Sequence, residues 1–156
     1  MFFHATQNAA ASVWVVAVAL VDEEGRVLVQ QRLSSGQHAG LWEFPGGKLE
    51  LGESPQAAAI RELHEELAIV VSGDDMRAVT FASGSTGDPP RPLTILLFAC
   101  DRWEGTPEPL AAAALAWCEP GELASWSMPP LDYPLAEALA AMLRNDKVHP
   151  AALPGR

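Results

Sequence analysis

The chain has 156 residues, 49% hydrophobic and 19% charged, with a formal net charge of −10. That composition excludes a disordered chain, and the length suits one folded domain (1–156) with flexible tails expected at 1–11 and 145–156. Ten Lys and Arg against twenty Asp and Glu exclude a protein that holds duplex nucleic acid by neutralising its phosphates.

Val13 to Val21 is apolar and rich in β-branched residues, the pattern of a strand buried on both faces. Asp22-Glu23-Glu24-Gly25 supplies turn chemistry, and Arg26 to Gln31 predicts a second strand in a hairpin with the first. A Gly- and Ser-bearing loop, Ser34 to Gly40, leads to Leu41-Trp42-Glu43-Phe44, and Pro45-Gly46-Gly47 reads as turn or loop. Ser54-Pro55 marks a helix start, with Ser54 as N-cap and Pro55 at the first helical position, and the helix runs to Leu67. Ile60, Leu63 and Leu67 share its apolar face. Ile69-Val70-Val71 is strand-like again. Arg77 to Ala82 predicts a strand, Ser83 to Pro92 a loop, Leu93 to Cys100 a strand, and Leu115 to Cys118 a short strand. A short helix near Pro120 to Ala124 and a longer one from about Pro134 to Leu143 follow. Interleaved strands and helices predict an α/β fold, a mixed β-sheet between helical layers.

Cys100 and Cys118 form no disulfide framework and have no metal-ligand spacing. The N-terminus lacks the features of a secretory signal, and Val13 to Val21 falls far short of a membrane span. A cytoplasmic protein with no membrane partner is the expectation, either monomer or homodimer.

Within the first helix Glu62, Glu65 and Glu66 stand at i, i+3 and i+4, which places three carboxylates on one stripe. Such a stripe is commonly a solvated acidic face. Here it follows Gly46-Gly47, Lys48, Glu50 and Glu53, with Arg61 directly before it. Hard cations such as Mg²⁺ or Mn²⁺ take oxygen ligands from carboxylates and carbonyls. A Gly-rich loop can bring a carbonyl close without side-chain obstruction, and Arg61 can pair with Glu53 to pin loop to helix.

Gly47-Lys48-Leu49-Glu50-Leu51-Gly52-Glu53, seven further residues, then Arg61-Glu62-Leu63-His64-Glu65-Glu66-Leu67-Ala68-Ile69 resembles the Nudix box, G-x5-E-x7-R-E-U-x-E-E-x-G-U with U apolar. Six of the seven specified residues are present, and Ala68 replaces the last glycine. The flanking segments Gln31-Arg32, Gly40 to Lys48, Trp103-Glu104-Gly105, Trp117-Cys118 and Met128 to Leu135 are similar to MutT-like members acting on oxidised dGTP and modified (d)CTP.

The resemblance implies a Nudix fold and metal-dependent hydrolysis of a small-molecule nucleoside triphosphate to monophosphate and pyrophosphate. It implies Glu62, Glu65, Glu66 and the Gly46 carbonyl as ligands of Mg²⁺ or Mn²⁺, with Glu53 and Arg61 as a brace and Glu65 or Glu66 assisting proton removal. Arg32, Phe44, Gly47 and Lys48 are implied at the substrate, and Asp132 matches the position that reads the base.

Two departures stand out. A left-handed helix end at Ala68 would cost on the order of 1 kcal/mol, so a rebuilt turn is expected there. The acid that relatives carry about six residues before the tryptophan corresponding to Trp117 is Ala111 here, with Glu104 and Glu108 the nearest acids. Two other readings stay open: a hydrolase of nucleoside diphosphate derivatives such as ADP-ribose, and a catalytically weak nucleotide-binding Nudix module. His64 is expected on the surface.

Overall fold

The computed structural model describes residues 11–148. Seven strands and two helices follow in the order β1 (Val13–Leu20), β2 (Val27–Gln31), β3 (Trp42–Glu43), β4 (Gly46–Lys48), α1 (Pro55–Leu67), β5 (Met76–Thr86), β6 (Arg91–Cys100), β7 (Ala114–Cys118) and α2 (Asp132–Val148). Short 3₁₀ turns at Gly73–Asp75 and Pro120–Ser125 join them.

The apolar run of β1 organises the molecule. It pairs in parallel with β6 from Val13↔Leu93 to Leu20↔Cys100, and antiparallel with β4, in a mixed sheet of order β4-β1-β6-β5. Alternate β1 side chains enter opposite cores, as the two-residue period requires. Val16, Val18 and Leu20 pack with Leu63 and Leu67 of α1, while Ala17 and Ala19 pack with Leu135, Ala136 and Leu139 of α2. The expected layering of helices about a mixed sheet is therefore present.

The predicted β1–β2 hairpin is not. β2 belongs to a second, three-stranded sheet, β3-β2-β7; it packs against β1 through side chains, but its one ladder contact on that side is the isolated bridge Val21↔Val27 just past the end of β1. The turn at Asp22–Gly25 reverses the chain for one antiparallel bridge, with the Asp22 N–H donating to the Arg26 carbonyl and the Asp22 carboxylate accepting from the Glu24 and Arg26 N–H groups, after which β2 departs to the other sheet. Ile69-Val70-Val71 forms no strand; Val70 makes a single bridge with Glu104. Conversely, β5 and β6 extend into the predicted 83–92 loop, pairing Gly84 with Leu93 and Thr86 with Arg91. Cross-strand bonding there overrides the weak strand preference of Ser and Gly.

Helix α1 begins as expected, with Ser54 Oγ accepting from the Ala57 N–H at 3.1 Å. Its end departs from expectation. Ala68 keeps the left-handed conformation (φ 57°, ψ 31°), with its N–H bonded to the His64 carbonyl at 3.1 Å, so the turn is not rebuilt and the methyl strain is borne. Helix α2 continues through Val148, so 145–148 are helical and not a loose tail; the rest of the two expected tails lies outside the described residues, apart from Ala11. Both cysteines are buried free thiols. His64 is exposed, as expected. Among the described residues no helix is long and apolar enough to cross a membrane.

Candidate active site

The site is built where β4 is pressed between β1 and α1. A Cβ on Gly46 would lie 1.9 Å from the Val16 carbonyl oxygen, and one on Gly47 would lie 2.3 Å from the Glu62 carboxyl carbon. Gly46 has no room for a side chain against backbone, and at Gly47 room exists only if Glu62 is displaced. The missing atom at residue 47 is the space in which the Glu62 carboxylate sits.

Arg61 ties the intervening loop to the helix. Its Nε and Nη2 donate to the two Glu53 oxygens at 2.9 and 2.8 Å, Nη2 donates to the Lys48 carbonyl at 3.0 Å, and Nη1 donates to Glu62 Oε1 at 2.8 Å. Glu65 and Glu50 lie within 3.6 and 3.8 Å of Nη1. The bidentate contact with Arg61 holds the Glu53 carboxyl down to about 2, helped by the Glu50 N–H. The guanidinium's own pKa is raised by Glu53 and then Glu62.

Glu66 turns the other way. Its Oε2 accepts from the Gly46 N–H at 3.1 Å and from Gln30 Nε2 at 3.2 Å. Burial pushes this carboxyl up to about 7 against those two hydrogen bonds. It opens on a cleft of about 390 Å³ that Gln30, Arg32, Phe44, Gly46, Gly47, Lys48, Ala111 and Asp132 also line. Ala111 is brought there by the loop after β6, which bonds back to α1 through Leu110 N–H to the Glu66 carbonyl at 3.0 Å. Neither Glu104 nor Glu108 lines the cleft; their backbones pair with Val70 and Leu67 instead.

The far end of the cleft belongs to Asp132, 6% exposed, whose Oδ2 accepts from the Phe44 N–H at 3.3 Å. Burial and the charge of Glu43 push its carboxyl up to about 7. Arg32 bridges β2 and β3, donating through Nη1 to Glu43 Oε2 at 2.7 Å and through Nε to the Gln37 carbonyl at 3.0 Å. A second cavity of about 300 Å³ continues from Arg32, Lys48 and Asp132, with one apolar wall of Leu93, Ile95, Pro129 and Leu131 and polar side chains such as His38, Ser85 and Thr86 elsewhere.

The fold thus gathers Arg32, Phe44, Gly46, Gly47, Lys48, Glu66 and Asp132 along one cleft. Glu62 lies behind Gly47, Glu65 is largely exposed, and Arg61 and Glu53 stand outside the lining. Among the described residues no group of three or more His, Cys, Asp or Glu side chains is drawn close enough to hold a metal ion. The three helix carboxylates are parted between Arg61 on one side and Gly46 with Gln30 on the other. The donor set nonetheless suits a hard divalent cation: oxygen donors on one helix face, beside a strand that glycine alone lets approach. Sequence reasoning missed Gln30. Its signal was a polar residue two places after Leu28, on the same inward face, in a strand that opens with three apolar residues.

This arrangement, a glycine strand against an Arg- and Glu-bearing helix beside a cleft of about 390 Å³, is that of a hydrolase of the Nudix type. The chain belongs to the Nudix family, whose NUDIX domain pattern matches residues 12–146, and it is a Nudix hydrolase. It is 35% identical over 127 residues to the CTP pyrophosphohydrolase of Escherichia coli (strain K12), covering 81% of this chain and 91% of that protein. The 8-oxo-dGTP diphosphatase of the same strain is 30% identical over 112 residues, 71% of this chain and 77% of that protein. Among solved structures, that of the E. coli ORF135 protein superposes with a TM-score of 0.73 at 34% identity, covering 90% of this chain and 95% of that one. Its relatives are thus MutT-like hydrolases named for small nucleotide substrates, and members of the family use divalent metal cations.

Proposed function

We propose that the chain, acting as one domain, hydrolyses a nucleoside triphosphate, ordinary or modified, to the monophosphate and pyrophosphate, using Mg²⁺ or Mn²⁺. The observation that carries this reading is that one cleft is lined by Glu66 and Asp132 together with Arg32 and Lys48. A base at the Asp132 end leaves a polyphosphate along Arg32 and Lys48, pointing to the helix carboxylates.

Glu62, Glu65, Glu66 and the Gly46 carbonyl are the residues that would hold the cations. Bound there, the cations would offset phosphate charge and ease ionisation of the attacking water. The chain's own part is orientation. Arg61 and Glu53 fix the loop that carries Lys48, and Gly47 admits Glu62 beside the strand. Glu65 or Glu66 receives the proton of the attacking water. Arg32, steadied by Glu43, meets phosphate. The second cavity takes the base against its wall of Leu93, Ile95, Pro129 and Leu131, and Asp132 reads the base's polar edge. An acid with a pKa near 7 exists in both forms near neutrality. Protonated, it donates and accepts; ionised, it only accepts.

The test is pyrophosphate release with Mg²⁺ or Mn²⁺ from 8-oxo-dGTP, dGTP, dCTP, 5-methyl-dCTP, ADP-ribose and a diadenosine polyphosphate, with Glu65→Gln as control. Turnover of a triphosphate that vanishes in the control is expected. Turnover confined to ADP-ribose or the dinucleotide overturns the substrate assignment. Absence of turnover on all six leaves a nucleotide-binding module.

A further inference from the structure

Gln30 is a buried polar residue that the mechanism above does not use. It is 4% exposed, near the end of β2, and lines the cleft beside Gly46, Glu66 and Ala111. One end of its amide is engaged, Nε2 donating to Glu66 Oε2 at 3.2 Å. The other end is not. Among the described residues, Gln30 Oε1 is the buried side-chain atom with no hydrogen-bond partner. Burying such an acceptor is costly, and folded proteins tolerate it where the atom serves something that binds. A leucine would fill the same space at no such cost. The neighbouring wall at Ala111 presents only a methyl group, so no acid from that loop reaches this end of the cleft.

We propose that Gln30 is a positioning residue for hydrolysis: its amide N–H fixes the Glu66 carboxylate, and its Oε1 accepts a hydrogen bond from the attacking water. The inference rests on the hydrolase reading above. In the step itself the water oxygen bonds to phosphorus as the P–O–P bridge breaks, pyrophosphate leaves with the bridging electron pair, and the water's proton passes to Glu65 or Glu66. Gln30 takes no proton, since a carboxamide is not a base at these pH values; it sets direction and distance. Because it stands on a strand bonded on both sides, to β3 and β7, it does so from a rigid support.

The experiment compares wild type with Gln30→Met, and with Gln30→Leu if the first fails to fold. It measures kcat and KM for the best triphosphate, Mn²⁺ affinity by electron paramagnetic resonance, and Tm. The expected result is a kcat about 10- to 100-fold lower with KM within about twofold of wild type. Mn²⁺ affinity falls, since Glu66 loses its fixing partner, and Tm holds or rises, since an orphaned acceptor is gone. A kcat within about twofold of wild type overturns the proposal and leaves Gln30 as packing, whatever the metal affinity. If wild type turns over no nucleotide, the hydrolase reading fails by itself, and Mn²⁺ affinity decides the Gln30–Glu66 link alone. Weaker binding in the variant supports it and equal binding overturns it.

Discussion

Arg61 and Glu53 meet through two side-by-side hydrogen bonds, at 2.9 and 2.8 Å, that close an eight-residue span of loop and helix. The same guanidinium reaches the Lys48 carbonyl and Glu62, so one planar group sets the spacing of strand, loop and helix. Lysine carries the charge but not the fork. Arg61→Lys is therefore expected to reduce kcat/KM by about 100-fold while the fold persists, read by steady-state kinetics beside circular dichroism. The pair also carries a pH signature. The Glu53 pKa is depressed from 4.5 to about 2, so its stabilising effect is complete above about 4.5 and is lost as pH falls toward 2. The Tm difference between wild type and Glu53→Gln should shrink through that window.

Gly47→Ala tests the seat of Glu62. The added methyl would overlap a carboxylate at the end of a flexible side chain, so Glu62 moves and the backbone stays. A folded protein with activity lowered by about 100-fold is expected. Gly46→Ala differs, because its methyl meets the Val16 carbonyl, which cannot swing aside. It should lower the yield of folded protein or the Tm severely. Equal effects from the two substitutions would refute the distinction.

Asp132→Asn should stabilise the protein in alkaline more than in acidic solution. The folded pKa is raised from 3.8 to about 7, so the folded state binds the extra proton between those values and stability falls as pH rises across them. Asparagine keeps an oxygen for the Phe44 N–H and has no charge to bury. The gain near pH 8 is expected on the order of 2–4 kcal/mol, and near zero at pH 4. Glu66 has the same sign of shift, so the variant retains part of the slope. Urea melts at the two pH values check this.

Ala68→Gly should raise Tm by about 2–4 °C. It removes a methyl group from a left-handed residue at the end of α1, a relief of roughly 1 kcal/mol. Ala68 does not line the cleft, so kcat should not change.

Much of this was legible where the signal is local. Ser54 and Pro55 announced α1 because a helix start is decided within a few residues, and its end at Leu67 followed from the apolar period. The Glu53–Arg61 contact followed from their separation by loop and helix. What escaped was non-local. β3 and β4 hold only through pairing with β2 and β1, so Pro45-Gly46-Gly47 looked like a turn alone. The division of strands between two sheets depends on where the chain turns at Asp22, which hydrophobic pattern does not encode. Gln30 became visible only once Glu66, thirty-six residues away, was placed beside it.

Helix α1 buries Leu63 and Leu67 on one side and carries Glu62, Glu65 and Glu66 on the other. The two faces pull in opposite directions: the first holds the helix in place, and the second strains it by like-charge repulsion and by a half-buried acid. Anyone breeding a hardier version by selection for heat resistance alone would find replacements of the acidic face among the early winners. Each would be a tougher protein and a poorer catalyst. Directed evolution of this scaffold therefore needs turnover scored in the same round as survival.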